Sequence, residues 1–316
     1  MRVCIFYDEY YAFDEFLNQY PCEWELQILR RPVRDKIKEL ADSGKYDVFF
    51  NLCDAPLEGQ SPGIDVVQTL EELNLAFTGA NSHCYDPTRE EMQAVAESHQ
   101  IAFAKGTRVY AGEDVLQKAG SLRYPIIVKH PKSYSSIQMF RESRCDTPEQ
   151  LQTQFERVSR EFGAARVEEF IVGREFNVLV VDNSDDLDNP FVYPPAELIF
   201  PPGEEFWHTG VKWDYSVPFE IWEVKGAELI KRLQDIGRGF YLAMECTGYG
   251  RIDVRMRENG ELVILEINPN GGVLYRPEEY APADYMILFD KDGYYGFFDR
   301  IFRSAAARRG NRQGNK

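Results

Sequence analysis

The segment Gly248–Gly272, GYGRIDVRMRENGELVILEINPNGG, consists of two apolar-alternating runs around Glu258-Asn259-Gly260-Glu261. Asn-Gly between such runs is the strongest short signal for a two-residue hairpin turn. A turn at Asn259-Gly260 sets Asp253 opposite Glu266 and Arg251 opposite Asn268. Because side chains alternate along a strand, all four share one face. The other face reads Ile252, Val254 and Met256 against Val263, Leu265 and Ile267, which is core.

Two carboxylates facing each other start about 4.5–5.5 Å apart at their β-carbons and repel unless a cation lies between them. Mg²⁺ suits such a pair, since it takes oxygen ligands at about 2.0–2.1 Å, often one or two carboxylates plus phosphate oxygens. Asn268 adds a neutral oxygen and Arg251 a fixed cation at the same end. The plainer reading is an acid pair in a structural ion network, neutralised by Arg251 and Arg255.

A chain of 316 residues, 44% hydrophobic and 28% charged, has the composition of a globular protein with two or three compact units. The net charge of −16 argues against nucleic acid or an anionic membrane as partner. It leaves ATP open, because a nucleotide site needs only a few local cations. Six cysteines are scattered without a C-x-x-C pair, and four histidines offer no zinc spacing. With no leader-like start and no apolar run near about 18 residues, the expectation is a reduced, cytoplasmic protein.

In chain order, residues 2–7 read as a buried strand with Asp8-Glu9 at its end, where ligands gather in open α/β sheets. Helix patterns over 34–43 and 64–73 flank a second strand, Tyr46–Leu52, and Glu58 lies in the loop between it and the next helix. No G-x-G-x-x-G follows the first strand, and no G-x-x-x-x-G-K-[ST] occurs anywhere. Asp86-Pro87-Thr88 starts a helix over 89–99. Pro125–Lys129 is a strand ending in lysine, and the loop after it, with Lys132, Ser133, Ser135 and Ser136, offers phosphate donors. An amphipathic helix spans 147–162. Residues 165–181 then read as two strands around Val172-Gly173-Arg174, with Glu168 and Glu175 on either side. Residues 182–220 lack periodicity and read as a functional loop or lid containing Lys212 and Trp213. A helix covers 227–243, and the basic stretch 303–316 reads as a disordered tail.

Taken together, these segments resemble the ATP-grasp superfamily, and within it the D-alanine–D-alanine ligase-like branch. The resemblance runs from about Asp47 to Ala283 and is most specific in G-x-G-R-I-D-V…G-E-L-V-I-L-E-I-N-P-N-G-G. V-E-E-F-I-V-G-R-E-F and Y-P-I-I-V-K stand in the family's order. It implies an α/β fold, α+β toward the C-terminus, in three domains: an N-terminal domain over 1–86, a central lid over 87–171 and a catalytic domain over 172–302. Nucleotide lies between the lid and the catalytic domain in that family.

The resemblance also implies roles. Asp253, Glu266 and Asn268 would hold two Mg²⁺ ions on the phosphates of ATP. Lys129, Ser135 and Ser136, with Arg89 more loosely placed, would contact those phosphates. Glu168, beside Glu169, would meet the adenine amino group, the backbone of Ile171 would read the ring edge, and Glu175 would bind ribose. Lys212 would lie over the γ-phosphate, while Arg251 and the Gly272 N–H would steady a tetrahedral intermediate. The implied reaction makes an amide from a small-molecule carboxylate and an amine through an acyl phosphate, and family members commonly form dimers.

The substrate half departs from the pattern. The first strand lacks Gly-Gly-x-Ser-x-Glu-Arg-Glu, Trp213 stands for a tyrosine, and Val-Leu-Tyr-Arg-Pro follows Gly272 without the acceptor-binding serine. The expectation is therefore a ligase for amino-acid-like substrates other than D-alanine–D-alanine, with Asp8, Glu9, Glu58, Trp213, Tyr275 and Arg276 as candidate substrate contacts. The competing readings are an ATP-binding regulatory protein that has lost the chemistry, and a ligase acting on a peptide or protein.

Overall fold

The computed structural model describes residues 1–7, 16–55, 61–132, 138–212 and 220–314. Three sheets form in succession along the chain. The first is parallel, in the order β2-β1-β3, from β1 (Arg2–Tyr7), β2 (Glu23–Ile28) and β3 (Val48–Asn51). β1 and β3 are apolar on both faces, as parallel strands buried on both sides must be, whereas the edge strand β2 alternates polar and apolar residues and is partly exposed. Phe6 and Phe49 pack under α1 (Arg34–Asp42) and α2 (Ile64–Glu72), while Val3, Ile5 and Phe50 face the opposite core.

The second sheet follows α3 (Arg89–Ser98), whose Thr88–Glu91 capping box satisfies its first turn. It is antiparallel, in the order β4-β7-β5-β6. Its members are β4 (Gly106–Tyr110), β5 (Ile126–Lys129), β6 (Arg144–Cys145) and β7 (Ala164–Glu169). The short α4 (Val115–Lys118) and the strongly amphipathic α5 (Pro148–Phe162) cover one face through Val115, Leu151, Phe155 and Val158.

The third sheet contains β8 (Arg174–Val181), β9 (Phe191–Val192), β10 (Ala196–Ile199), β11 (Glu220–Glu223), β12 (Tyr249–Met256) and β13 (Leu262–Pro269). Its path is β11-β10-β8-β12-β13, with β9 beside β8. α6 (Thr209–Lys212) precedes β11, and α7 (Ala227–Ala243) buries Leu233 and Phe240 against Val178, Ile252 and Val254. α8 (Pro282–Phe289) and α9 (Gly293–Gly314) complete the chain. Among the described residues, no helix is long and apolar enough to cross a membrane.

The decisive hairpin forms with two local departures that offset each other. Gly260 N donates to the Arg257 carbonyl (2.9 Å), and Arg257 N to the Glu261 carbonyl (2.9 Å), with Gly260 at φ +83°. The loop is therefore three residues closed by a left-handed glycine, not the expected two-residue turn. This moves the register by one, so that Val254 faces Ile264 and Arg255 faces Val263. A bulge between Asp253 and Val254 moves it back, restoring Asp253 opposite Glu266 and Arg251 opposite Asn268. The expected core face is corrected accordingly: Ile264 joins Ile252 and Val254 in the core under α7, while Val263 and Leu265 pack with Ala104 and Ile171.

Three further expectations are corrected. Residues 182–220 contribute β9 and β10 to the main sheet, where Ala196 faces Asn177 and Glu223, so the segment is not one irregular loop. The cysteines are not all free thiols: Cys84 and Cys246 form a disulfide with Cα atoms 5.2 Å apart, at a separation of 162 residues that no spacing rule reveals. Nor is the start of 303–316 a disordered tail, because α9 continues through it. Phe298, Ile301, Phe302 and Ala305 form a buried helical stripe, and Phe302 packs edge-on to Phe50 at 5.5 Å. Arg308 continues the stripe, donating to Asp182 Oδ2 (2.6 Å) and to the Phe77 carbonyl (2.6 Å).

Asp182 is a junction. It also accepts from the Tyr241 hydroxyl (2.7 Å) and the Gly248 N–H (2.8 Å). At Gly248 (φ +76°) an added Cβ would fall 2.3 Å from the Gly79 backbone, so glycine there lets the hairpin start against the N-terminal segment. Arg308→Ala leaves Asp182 a buried acid without its cation, and should lower unfolding free energy by about 3 kcal/mol. Denaturant titration checks this; a change within about 0.5 kcal/mol would match an undocked tail instead.

Candidate active site

Strand alternation places Arg251, Asp253 and Arg255 of β12 on one face, with Glu175 and Asn177 of β8 on one side and Glu266 and Asn268 of β13 on the other. This face floors a cleft that Lys129 of β5 and Glu168 of β7 also line. Arg89, Glu169 and Ile171 also line it. Ten of the expected site residues thus converge from six elements and the β7–β8 linker.

Asp253 is heavily engaged. Its Oδ1 accepts from Asn177 Nδ2 (2.7 Å) and Arg251 Nε (2.8 Å), and its Oδ2 from Asn268 Nδ2 (3.2 Å) and an Arg251 terminal nitrogen (3.2 Å). Glu266 is paired with Arg89, which also donates to the Leu265 carbonyl (3.0 Å). Burial pushes the Glu266 carboxyl up, and the Asp253 charge adds to that, against the pull of Arg89, Lys129 and Arg251. Burial disfavours the Arg251 charge, yet Asp253, Glu266 and Glu175 outweigh it and raise its pKa.

The two facing acids are therefore neutralised by Arg251 and Arg89, not by Arg251 and Arg255 as the plainer reading had it. Arg255 instead serves Glu175, through Nε (2.9 Å) and a terminal nitrogen (2.6 Å). The oxygen-rich set of Asp253, Glu266 and Asn268 fits a hard divalent cation. Asn177 supports the fit, since its buried Oδ1 has no hydrogen-bond partner among the described residues. The same residues have no third acid with them: no cluster of three or more His, Cys, Asp or Glu occurs among the described residues.

At the opposite end, Glu168 is 1% exposed and held by Lys129 Nζ (2.5 Å) and Arg166 Nε (3.2 Å). Burial alone would raise its pKa, but the Lys129, Arg166 and Arg89 charges prevail and hold it at about 2. Glu169 borders the cleft, yet alternation turns its carboxylate to Arg123 (3.4 Å) and Arg257 (3.5 Å). Ile127, Phe170, Phe206 and Met139 form an apolar slot beside Glu168, with Phe170 and Phe206 edge-on at 5.4 Å. Ile171 follows Phe170 in the linker and also lines the cleft.

Not every expected residue falls in the cleft. Gly272 lies beyond it under the Tyr275 ring, where an added Cβ would approach to 2.6 Å. Arg276 is exposed. Lys212 closes α6, but its side chain lies outside the described residues, as do Asp8, Glu9, Glu58, Ser135, Ser136 and Trp213.

Two site residues escaped sequence reading although period-two alternation pointed to them: Arg166 lies two before Glu168, and Asn177 two after Glu175. Asp284 had no such signal: it receives Leu274 N (2.7 Å), Ala281 N (3.0 Å) and the Tyr294 hydroxyl (2.8 Å), fixing the loop after Gly272. Burial pushes it up to about 6 against those hydrogen bonds.

Comparison with known proteins adds family context. Residues 93–275 match the family model described as D-ala D-ala ligase C-terminus. The D-alanine–D-alanine ligase of Geobacter sulfurreducens is 31% identical over 207 residues, covering 65% of this chain and 62% of that protein. The chain thus spans less than two thirds of that relative. The ligase of Janthinobacterium sp. is 26% identical over 255 residues, covering 77% and 74%. Among solved structures, the D-alanine–D-alanine ligase of Coxiella burnetii superposes with a TM-score of 0.71 at 16% identity, over 99% of this chain and 96% of that one. The Bacillus anthracis ligase complexed with ATP gives 0.67 at 16% identity, over 99% of both chains. The three-sheet architecture is the ATP-grasp fold.

Glu168 gives a pH test. Its folded pKa of about 2 lies below the ordinary 4.5, so its stabilisation is complete above pH 4.5 and is lost as pH falls toward 2. Between pH 6 and pH 2 the wild type should lose about 3 kcal/mol more than Glu168→Gln. Parallel stability profiles for the two would contradict the paired-carboxylate description.

Proposed function

Because the chain belongs to the D-alanine–D-alanine ligase family, we propose that it is an ATP-dependent, ADP-forming ligase. It joins the carboxylate of one amino-acid-like substrate to the amine of another. The carrying observation is a single cleft with an apolar slot at Phe170 and Phe206 and the Arg251, Asp253, Glu266 and Asn268 group on its floor.

The adenine ring lies in the slot, its amino group on Glu168 and its edge on the Ile171 backbone. Lys129 then turns from Glu168 to the phosphates, an exchange of one anion for another at the same ammonium. Glu175 receives the ribose. Asp253, Glu266 and Asn268 would hold a divalent cation, which would supply charge neutralisation at the phosphates. Lys212, Ser135 and Ser136 are the candidate donors to the transferred group by family pattern. An oxygen of the substrate carboxylate attacks the γ-phosphorus and ADP leaves, giving an acyl phosphate. The amine attacks the acyl carbon, and inorganic phosphate leaves as the amide forms and the amine gives up a proton. Arg251 steadies the oxyanion formed as the amine attacks, and positioning supplies most of the remaining rate.

At the acceptor end, Tyr275 and Arg276 stand where the family pattern has a different sequence. This favours an acceptor other than D-alanine, so D-alanine belongs among the substrates compared. Asp253→Asn and Glu266→Gln should abolish substrate-dependent ADP release while thermal unfolding shows the fold intact. Near-normal turnover in either would remove the metal-holding role. Arg251→Ala should lower amide formation by about 10²–10³-fold with a much smaller change in ATP affinity. An equal loss in both would place Arg251 in nucleotide binding instead.

A further inference from the structure

Arg255 faces the cleft, is 2% exposed, and takes part in no step above. Its guanidinium makes four contacts with different parts of the nucleotide end. Two donors converge on Glu175 Oε2 at 2.9 and 2.6 Å. A third bonds the Ile171 carbonyl (2.8 Å), and a terminal nitrogen also bonds the Glu205 carbonyl. The plane lies over the Phe170 ring, 4.7 Å from its centroid.

The consequence falls on Glu175. Both contacts from Arg255 use Oε2, while Oε1 has no hydrogen-bond partner among the described residues and is not among the buried unpaired atoms. Glu175 lines the cleft, so one oxygen is anchored and the other is presented. Only a planar fork with several N–H groups can grip Oε2 twice and still reach two backbone carbonyls; an ammonium on a flexible stem cannot.

We infer that Arg255 is the positioning residue that sets the sugar specificity of this site, holding Glu175 so that Oε1 accepts a ribose hydroxyl and ribonucleotides are preferred over deoxyribonucleotides. The inference rests on the nucleotide reading of the cleft. A single hydrogen bond to a charged acceptor is worth about tenfold or more in affinity.

The test is calorimetric titration of the full chain with ATP, 2′-deoxy-ATP and 3′-deoxy-ATP in Mg²⁺, for wild type, Arg255→Lys and Arg255→Met. Wild type should favour ATP by about tenfold or more over at least one deoxy analogue. In Arg255→Lys, which keeps a buried cation and so preserves the fold if Arg255→Met does not, that ratio should fall to within about twofold. The loss should come from weaker ATP binding, with the deoxy analogue little changed. A folded variant that weakens all three ligands alike and keeps the ratio would make Arg255 merely structural, overturning the inference. Equal binding of all three ligands by wild type would also overturn it. Failure of wild type to bind ATP at all would instead remove the nucleotide reading beneath it.

Discussion

Carboxylates set in a poorly solvated cleft must each find a cation, because an unpaired buried charge is far more costly than a paired one. This constraint organises the molecule. Arg251 serves Asp253, Arg89 serves Glu266, Lys129 serves Glu168, and Arg255 serves Glu175. Three of these pairs join separate elements: α3 to β13, β5 to β7, and β12 to β8. The same contacts that neutralise the cleft also tie neighbouring strands within each sheet and hold α3 against β13. They are exchangeable as well, since a phosphate or a divalent cation can replace either member of a pair.

Much of this was legible in the sequence because a strand's period of two is a strong constraint. Once Asp253 and Glu266 are opposed, Arg251, Asn268 and Arg255 follow on the same face. The register nevertheless came out right through two offsetting features. The three-residue loop closed by Gly260 shifts it one way and the bulge at Asp253/Val254 shifts it back. Neither was visible: Asn-Gly serves two-residue and three-residue loops alike, and a bulge leaves no mark in an apolar run such as Leu262–Leu265. The exchange of Ile264 for Leu265 in the core is the trace it leaves.

What stayed hidden depended on distant residues. The stretch 303–316 reads as basic and poor in apolar residues, yet Phe77 and Asp182 dock its first turns. β9 and β10 look like loop because a two-residue and a four-residue strand carry too little alternation to register, and partners on β8 and β11 define them. The Cys84–Cys246 disulfide and the loop-holding role of Asp284 likewise need the folded chain to bring their partners near.

The central claim is that the charged cleft makes an acyl phosphate, and hydroxylamine tests it most directly. Hydroxylamine intercepts an activated acyl group without knowledge of the natural amine. The protein is incubated with ATP, Mg²⁺, hydroxylamine and pools of amino and other carboxylic acids, D-alanine included, and products are read by mass spectrometry. The account predicts a hydroxamate of one carboxylate, formed in step with ADP. ATP binding without any hydroxamate or ADP across all pools would contradict it and leave a nucleotide-binding protein without ligase chemistry.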